Sequence, residues 1–398
     1  MAVLNQHTFP FCVTAHAFNS DQTKVAVCPN TNEVQIYGKS TGGWTLEHTL
    51  REHDLQVTSI DWAPKTNRIV TCSQDKNAYV WNYDGQAWKP TLVHLRINRA
   101  ATFAKWSPNE DKFAVASGAR CISVCYFGED NDWWVSKHIK KPLTSTVLCL
   151  DWHPNNVLLA AGSADMKARV FSAFIKGVDK KPPSSVWGEK LPFNTVCAEY
   201  TNPSSGWVHS VAFSPSGDAL AWTGHDASVS VAYPGSNQIA HVRTRQLPFL
   251  AVAWVSETKL VAAGHDCTPM LFERDDAEAG ANGTNPAAPH WKWVKSLDQS
   301  GADATGGMGT RMSKIASNSA FNMFRQMDSR AQSETSGSGS GGANGAGGEG
   351  GIGSALHPAA NSVHQNTITS LKPLAQGGAS ATEFSTSGLD GKVAIWAC

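Results

Sequence analysis

The chain has 398 residues, with 33 basic and 33 acidic side chains and no formal net charge. That balance argues against a nucleic-acid or anionic-membrane surface as the main partner. No run approaches the roughly 18 apolar residues of a membrane-spanning helix, and MAVLNQHTFPFC has neither the basic start nor the apolar core of a secretory leader.

The first predicted unit runs from near Cys12 to near Leu50, with strand-like runs VTAHAF, KVAVC, EVQIY and WTLEHTL. Five later segments repeat one pattern, alternating apolar residues ending in a large aromatic: VTSIDWAP (Trp62), ATFAKWSP (Trp106), VLCLDWHP (Trp152), VHSVAFSP (Phe213) and LAVAWV (Trp254). The aromatics are 44, 46, 61 and 41 residues apart. The long interval holds an extra Lys- and Pro-containing loop at 174–194. A second landmark sets a turn residue, often Asp, six positions before an aromatic: Asp75 and Trp81, Asp165 and Phe171, Asp266 and Phe272, Asp390 and Trp396. Thr31 before Tyr37 and Arg120 before Tyr126 are degenerate copies, and Asp226 has Ala232 where the aromatic is due. These seven units of short strands at a 40–45-residue period predict an all-β, seven-bladed WD40 β-propeller.

Two units carry the full WD-repeat polar set: His53, Thr71, Asp75 and Trp81, and His364, Thr386, Asp390 and Trp396. The spacing lets imidazole, hydroxyl, carboxylate and indole form a hydrogen-bonded relay that satisfies buried polar tips. A His–Thr–Asp set also suggests a catalytic triad, but recurrence with the period favours a structural role. The same structural role is expected of the Gly-His-Asp triplets at His225–Asp226 and His265–Asp266. Cys12, Cys28, Cys72, Cys121, Cys149 and Cys267 lie in apolar runs and are expected as small buried groups in a reducing cytosol. Cys121 and Cys125 point the same way on one strand but lack partner ligands, so no zinc is expected.

Residues 1–296 are assigned to blades one to six and 364–398 to blade seven, whose missing fourth strand is expected from the N-terminal run around His7–Phe9. Between them, 297–363 breaks the period, because Trp254 lies 119 residues before the equivalent Pro373. Its Gly/Ser-rich arms read as flexible linkers. They flank an island, TRMSKIASNSAFNMFRQMDSRAQSE, with a predicted amphipathic helix over about 317–332. Ala320, Phe321, Met323, Phe324, Met327 and Ala331 share its apolar face, while Asn322, Arg325, Gln326, Ser329 and Arg330 lie opposite. Docking of that face into a partner's groove competes with its folding back on the propeller.

DWAPKTNRIVTCSQDKNAYVW, KPTLVHLRINRAA, NDWWVSKHIKKP, STVLCLDWHPNNVLLAAGSADMKARVFSAFIK and LVAAGHDCTPMLF go beyond generic repeat residues. They resemble the WD-repeat subunit of the actin-related protein 2/3 complex, which nucleates branched actin filaments. The resemblance covers most of 50–275 and implies a noncatalytic, cytoplasmic scaffold of the actin cytoskeleton, without cofactor or metal. Its implied partners are the other subunits, the actin filament and nucleation-promoting activators. The family's insertion helix contacts the mother filament, a role that the resemblance places on Phe324 and Met327, beside Asp328. Phe321, Met323 and Arg325 join them from the helical wheel alone. The Gly-rich arms depart from the family's pattern. A ubiquitin-ligase substrate receptor is the alternative, but the Trp-Asp-x-Arg ending is absent, since Asn82 follows Trp81 and Ala397 follows Trp396. An enzyme working through the central channel would need converging carboxylates, a metal set or a nucleophile, and no spacing demands one.

Overall fold

A computed structural model describes residues 3–130, 132–181, 183–189, 191–275, 289–298, 362–374 and 383–397. Among them, 28 strands form seven four-stranded antiparallel sheets. The chain divides into two units, 1–300 with 358–398, and 301–357. The second unit, with the helix expected over 317–332, lies outside the described residues.

Blades one to six each use four consecutive strands, lettered a to d here. Blade seven takes Ile368–Leu374, Glu383–Gly388 and Lys392–Ala397, and its d strand is Val3–Thr8, antiparallel to Lys392–Ala397. Successive a strands neighbour one another around the whole ring, from blade seven back to blade one. Antiparallel order puts the b–c turns and d–a loops on one face of this propeller and the a–b and c–d turns on the other.

The core is divided among the seven seams between blades, each with its own buried apolar cluster. Tryptophans of the a strands reach across these seams: the Trp152 indole N–H donates to Lys105 O at 3.0 Å and that of Trp254 to Ala212 O at 2.9 Å, each in the preceding blade. Within their own blades, Trp62 meets Trp88 edge-on at 5.5 Å, and Trp254 meets Trp291 in the same way at 5.5 Å. T-shaped ring contacts of this kind fix the outer strand against the inner one beyond the area they bury.

In blades two to seven the a–b register shifts around the second residue of strand a. A bulge leaves that residue outside the ladder and re-aims its side chain. Where it is threonine, the hydroxyl donates to the next blade: Thr58 to Ala101 O at 2.9 Å, Thr102 to Val147 O at 2.6 Å, and Thr369 to Val13 O at 2.8 Å. On the other face, Glu110 accepts from Lys65 N and Thr66 N at 2.8 and 2.6 Å, and Glu257 accepts from Ser216 N at 2.6 Å. The seam between blades two and three is thereby held at both ends.

The seam that closes the ring has the smallest apolar cluster: Phe9, Val13, Val25, Val27 and Val393. Polar contacts supplement it. His16 sits fully buried between Ser385 Oγ at 2.7 Å and Ser387 Oγ at 2.9 Å. Phe9 N donates to Gly391 O at 2.7 Å, and Gly391 has a φ of 78°, with Phe9 O only 2.5 Å from where a Cβ would lie. Only glycine fits there without displacement.

The 174–194 segment is a strap between blades. Trp187 is buried and its indole N–H donates to Gly217 O at 2.7 Å in blade five. Asp179 pairs with Lys112 of blade three, both fully enclosed, and Asn156 Nδ2 donates to Asp179 Oδ1 at 3.0 Å. At the period break, Val363 N donates to Asp298 Oδ2 at 2.5 Å, so the two described edges of the break meet.

Two cysteine expectations need correction. Cys12 is exposed in the loop before blade one, because its run belongs to the crossing between blades rather than to a strand. Cys267 is buried but occupies a b–c turn. Cys72 and Cys149 are buried in strands, and burial pushes each thiol up to about 12.

Candidate partner-binding surface

The polar set of blade two is a continuous chain. The Trp81 indole N–H donates to Thr71 Oγ1 at 3.0 Å, His53 Nε2 lies 2.9 Å from that hydroxyl, and His53 Nδ1 lies 2.8 Å from Asp75 Oδ2. Burial lowers the His53 pKa, against the opposing pull of Asp75. A neutral ring completes the network with Nδ1–H donating to Asp75 and Nε2 accepting from Thr71, a tautomer assigned from these partners. Blade seven repeats it: Trp396 to Thr386 at 2.8 Å, His364 Nε2 to Thr386 at 2.8 Å, and His364 Nδ1 to Asp390 Oδ1 at 3.1 Å. Both imidazoles are enclosed. With donors and acceptors mutually satisfied, the sets join the d–a loop to the b–c turn and leave no nucleophile facing water.

Blade four uses different chemistry at the same place. Arg169 spans Asp165 at 2.8 Å and Glu199 at 2.7 Å. In blade five, Trp222 replaces the threonine and stacks on Tyr200 at 5.5 Å. Asp226 there holds Ser228 Oγ at 2.6 Å and Asn202 Nδ2 at 3.2 Å. The expectation for the Gly-His-Asp triplets is corrected here. Asp226 holds Ser228 of its own turn and Asn202 of the d–a loop, and Asp266 accepts from Leu247 N of the d–a loop, but His225 and His265 are exposed, near His209 and Thr367. A histidine directly before the turn Asp lies too far along the chain from the d–a loop to join the relay.

This geometry separates the charges that cancel in the total. The turn carboxylates are engaged: Asp75 and Asp390 by histidines and backbone N–H groups, Asp165 by Arg169, Asp226 by Ser228 and Asn202, and Asp266 by Leu247 N at 2.7 Å. On the same face, Arg99, Arg120, Lys140 and Lys141 are exposed on adjacent loops around blades three and four. None of the four is in an ion pair among the described residues. Exposed apolar side chains share the face: Leu55, Met166, Trp207 and Leu247. Around blades three and four the face therefore offers cations and apolar anchors while its turn carboxylates are engaged, and Glu52 and Asp54 remain exposed in the loop before blade two.

Opposite charges on the a strands pair with one another. Lys372 donates to Asp61 Oδ1 at 2.8 Å, and Lys105 to Asp151 Oδ1 at 2.5 Å. The free carboxylate oxygens accept Trp106 N at 2.9 Å and Phe213 N at 2.7 Å. Among the described residues no group of three or more His, Cys, Asp or Glu side chains could hold a metal ion. Phe321, Met323, Phe324, Arg325 and Met327 lie outside the described residues.

Seven sheets with complete His–Thr–Asp–Trp relays in two of them define a WD40 β-propeller, and residues 44–82 and 134–172 match the WD domain, G-beta repeat family. Curated relatives narrow the class. The chain is 50% identical to actin-related protein 2/3 complex subunit 1A-A of Xenopus laevis, over 96% of this chain and 93% of that protein. It is 47% identical to actin-related protein 2/3 complex subunit 1 of Schizosaccharomyces pombe, over 98% of both chains. It is 39% identical to subunit 1B of Arabidopsis thaliana, over 100% of this chain and 97% of the relative. The chain belongs to the actin-related protein 2/3 complex subunit 1 family.

Proposed function

We propose that the chain is a noncatalytic scaffold subunit of an actin-related protein 2/3 complex, supporting actin nucleation and branched filament formation in the cytoplasm. The similarity that carries this reading runs through the propeller and across the insertion, over 96–100% of the chain in the relatives named above. A closed disc with its polar sets internally satisfied suits a part that presents surfaces rather than chemistry.

The face with Arg99, Arg120, Lys140 and Lys141 serves partners that carry carboxylates, which can include nucleation-promoting activators. The insertion island reaches the mother actin filament, with Phe324 and Met327 as apolar anchors and Phe321, Met323 and Arg325 beside them. Its entry and exit at Asp298 and Val363 favour a tethered module that leaves the ring undisturbed. Ordering its arms on binding costs conformational entropy, which keeps this one contact modest. A ubiquitin-ligase receptor is not favoured, because the named relatives are all complex subunits.

Replacing Phe324 and Met327 together by Asp tests the tether. The assembly should still purify intact while branch formation falls severalfold in a filament-branching assay. Unchanged branching would remove these residues from filament contact.

A further inference from the structure

The second residue of strand a shows where the ring departs from its own repeat. It is Thr58, Thr102 and Thr369 in blades two, three and seven, where hydroxyls bridge to the next blade. In blade five the bulged residue is His209, set between Val208 and Ser210. Its Nε2 lies 2.8 Å from His225 Nδ1, and the two rings are 5.1 Å apart. Trp207 covers the pair, 5.7 Å from the His225 ring at a tilt of 38° and 6.4 Å from His209. The indole itself is 53% exposed. A Cβ at Gly206 beside it would come within 3.2 Å of His225, a tight approach.

We infer that Trp207, His209 and His225 form a proton-operated aromatic switch on the loop face of blade five. A nitrogen-to-nitrogen contact of 2.8 Å accommodates one proton between the rings and not two. The pair therefore shares a single added proton and behaves as one unit. Of the two rings, His225 is the exposed one and His209 is half-buried. Burial, with His225 and His265 nearby, lowers His209 to about 4.

Among the described residues no carboxylate is paired with either ring. Asp226 turns to Ser228 and Asn202, Asp266 to Leu247 N, and the 202–207 loop carries no charged residue. His265 is the other titratable group acting on His209, and its Nδ1 is on Thr367 at 3.2 Å. The charged imidazolium lies against an indole, the ring that attracts cations best. Protonation therefore draws Trp207 down over His225, and deprotonation releases it. Above the transition the face offers a free indole, and below it a capped cation.

The test uses the full chain, with the Trp207→Phe variant subtracted to isolate the Trp207 fluorescence. Between pH 8 and pH 5 that signal should be quenched about twofold or more, and acrylamide access to Trp207 should fall in step. His225→Gln and His225→Phe should both leave it flat, with melting temperatures near wild type at pH 8. Titration of His225 by histidine-labelled NMR should follow the same midpoint as the fluorescence. A Trp207 signal that is flat in wild type, or one whose pH dependence survives in His225→Phe, overturns the switch.

Discussion

Blades two and five are built from the same repeat but put their histidines to opposite uses. In blade two, His53 comes from the d–a loop, is enclosed, and has a partner on each ring nitrogen. In blade five, Asn202 occupies the loop position, Trp222 replaces the threonine, and the histidines move to the strand bulge and the turn, at the surface. Four of the six buried polar side-chain atoms without a partner among the described residues belong to blade five: Asn202 Oδ1, Trp222 Nε1, Thr223 Oγ1 and Asp226 Oδ2. Satisfied polar groups stabilise a fold, and unsatisfied ones mark where other demands act. Blade two is therefore organised for closure of the ring, and blade five gives up part of that organisation for an exposed aromatic cluster.

Several changes to the chain would separate closure from surface, beginning where the largest effect is expected. Blade seven also has a complete relay, but its d strand is Val3–Thr8. Deleting residues 1–10 unpairs that edge and removes Phe9 from the smallest seam cluster, so stability should fall by roughly 4 kcal/mol or more in chemical denaturation. An unchanged denaturation midpoint would show that the borrowed strand does not close the ring.

His16 supplies the next effect. It occupies a core position equivalent to Ile60 and Leu150, and burial lowers it to about 3 from an ordinary 6.5, with smaller contributions from Lys372 and His364. An unfolded chain binds this proton more readily than the folded one. The contribution is fully present above pH 6.5 and is lost as pH falls from 6.5 towards 3. Its limit is on the order of 5 kcal/mol. His16→Leu should flatten that part of the stability profile, and the same slope in wild type and variant would assign it to other groups.

In the blade-two relay, His53→Ala leaves Thr71 and Asp75 buried without their ring partner. A loss of about 2–3 kcal/mol is expected, as for any enclosed network that loses its central member. Blade five supplies the contrast: Trp207→Ala and His225→Gln should each shift stability by about 0.5 kcal/mol or less. If the His53 and His225 substitutions cost the same, the division between closure and surface fails.

Much of the propeller can be read from the chain because its period repeats the same physical solution. Trp62, Trp106, Trp152 and Trp254 all end inner strands or lie within their last turn of ladder, and Asp75 and Asp390 both hold tight turns. The pattern is blind to residues that depart from it. His16 looks like any strand residue until the serines of another blade enclose it, 369 and 371 positions away. The cationic face is hidden for a related reason. Equal numbers of acids and bases conceal that Asp75, Asp165, Asp266 and Asp390 are spent inside turns while Arg99, Arg120, Lys140 and Lys141 are not. His209 and Trp207 carry no motif, since only the bulge and the folding of the 202–207 loop bring them to His225. Phe324 and Met327 are legible as part of an apolar stripe and through the family resemblance, because no repeat constrains the island around them.

The scaffold role is tested most directly by isolating the tagged full chain at its natural abundance and identifying what co-purifies in stoichiometric amount. The expected result is a stable assembly containing two actin-related proteins and further subunits, retained when His225 or Phe324 is substituted. A chain that purifies alone, or with a ubiquitin-ligase core in place of actin-related proteins, would contradict that role.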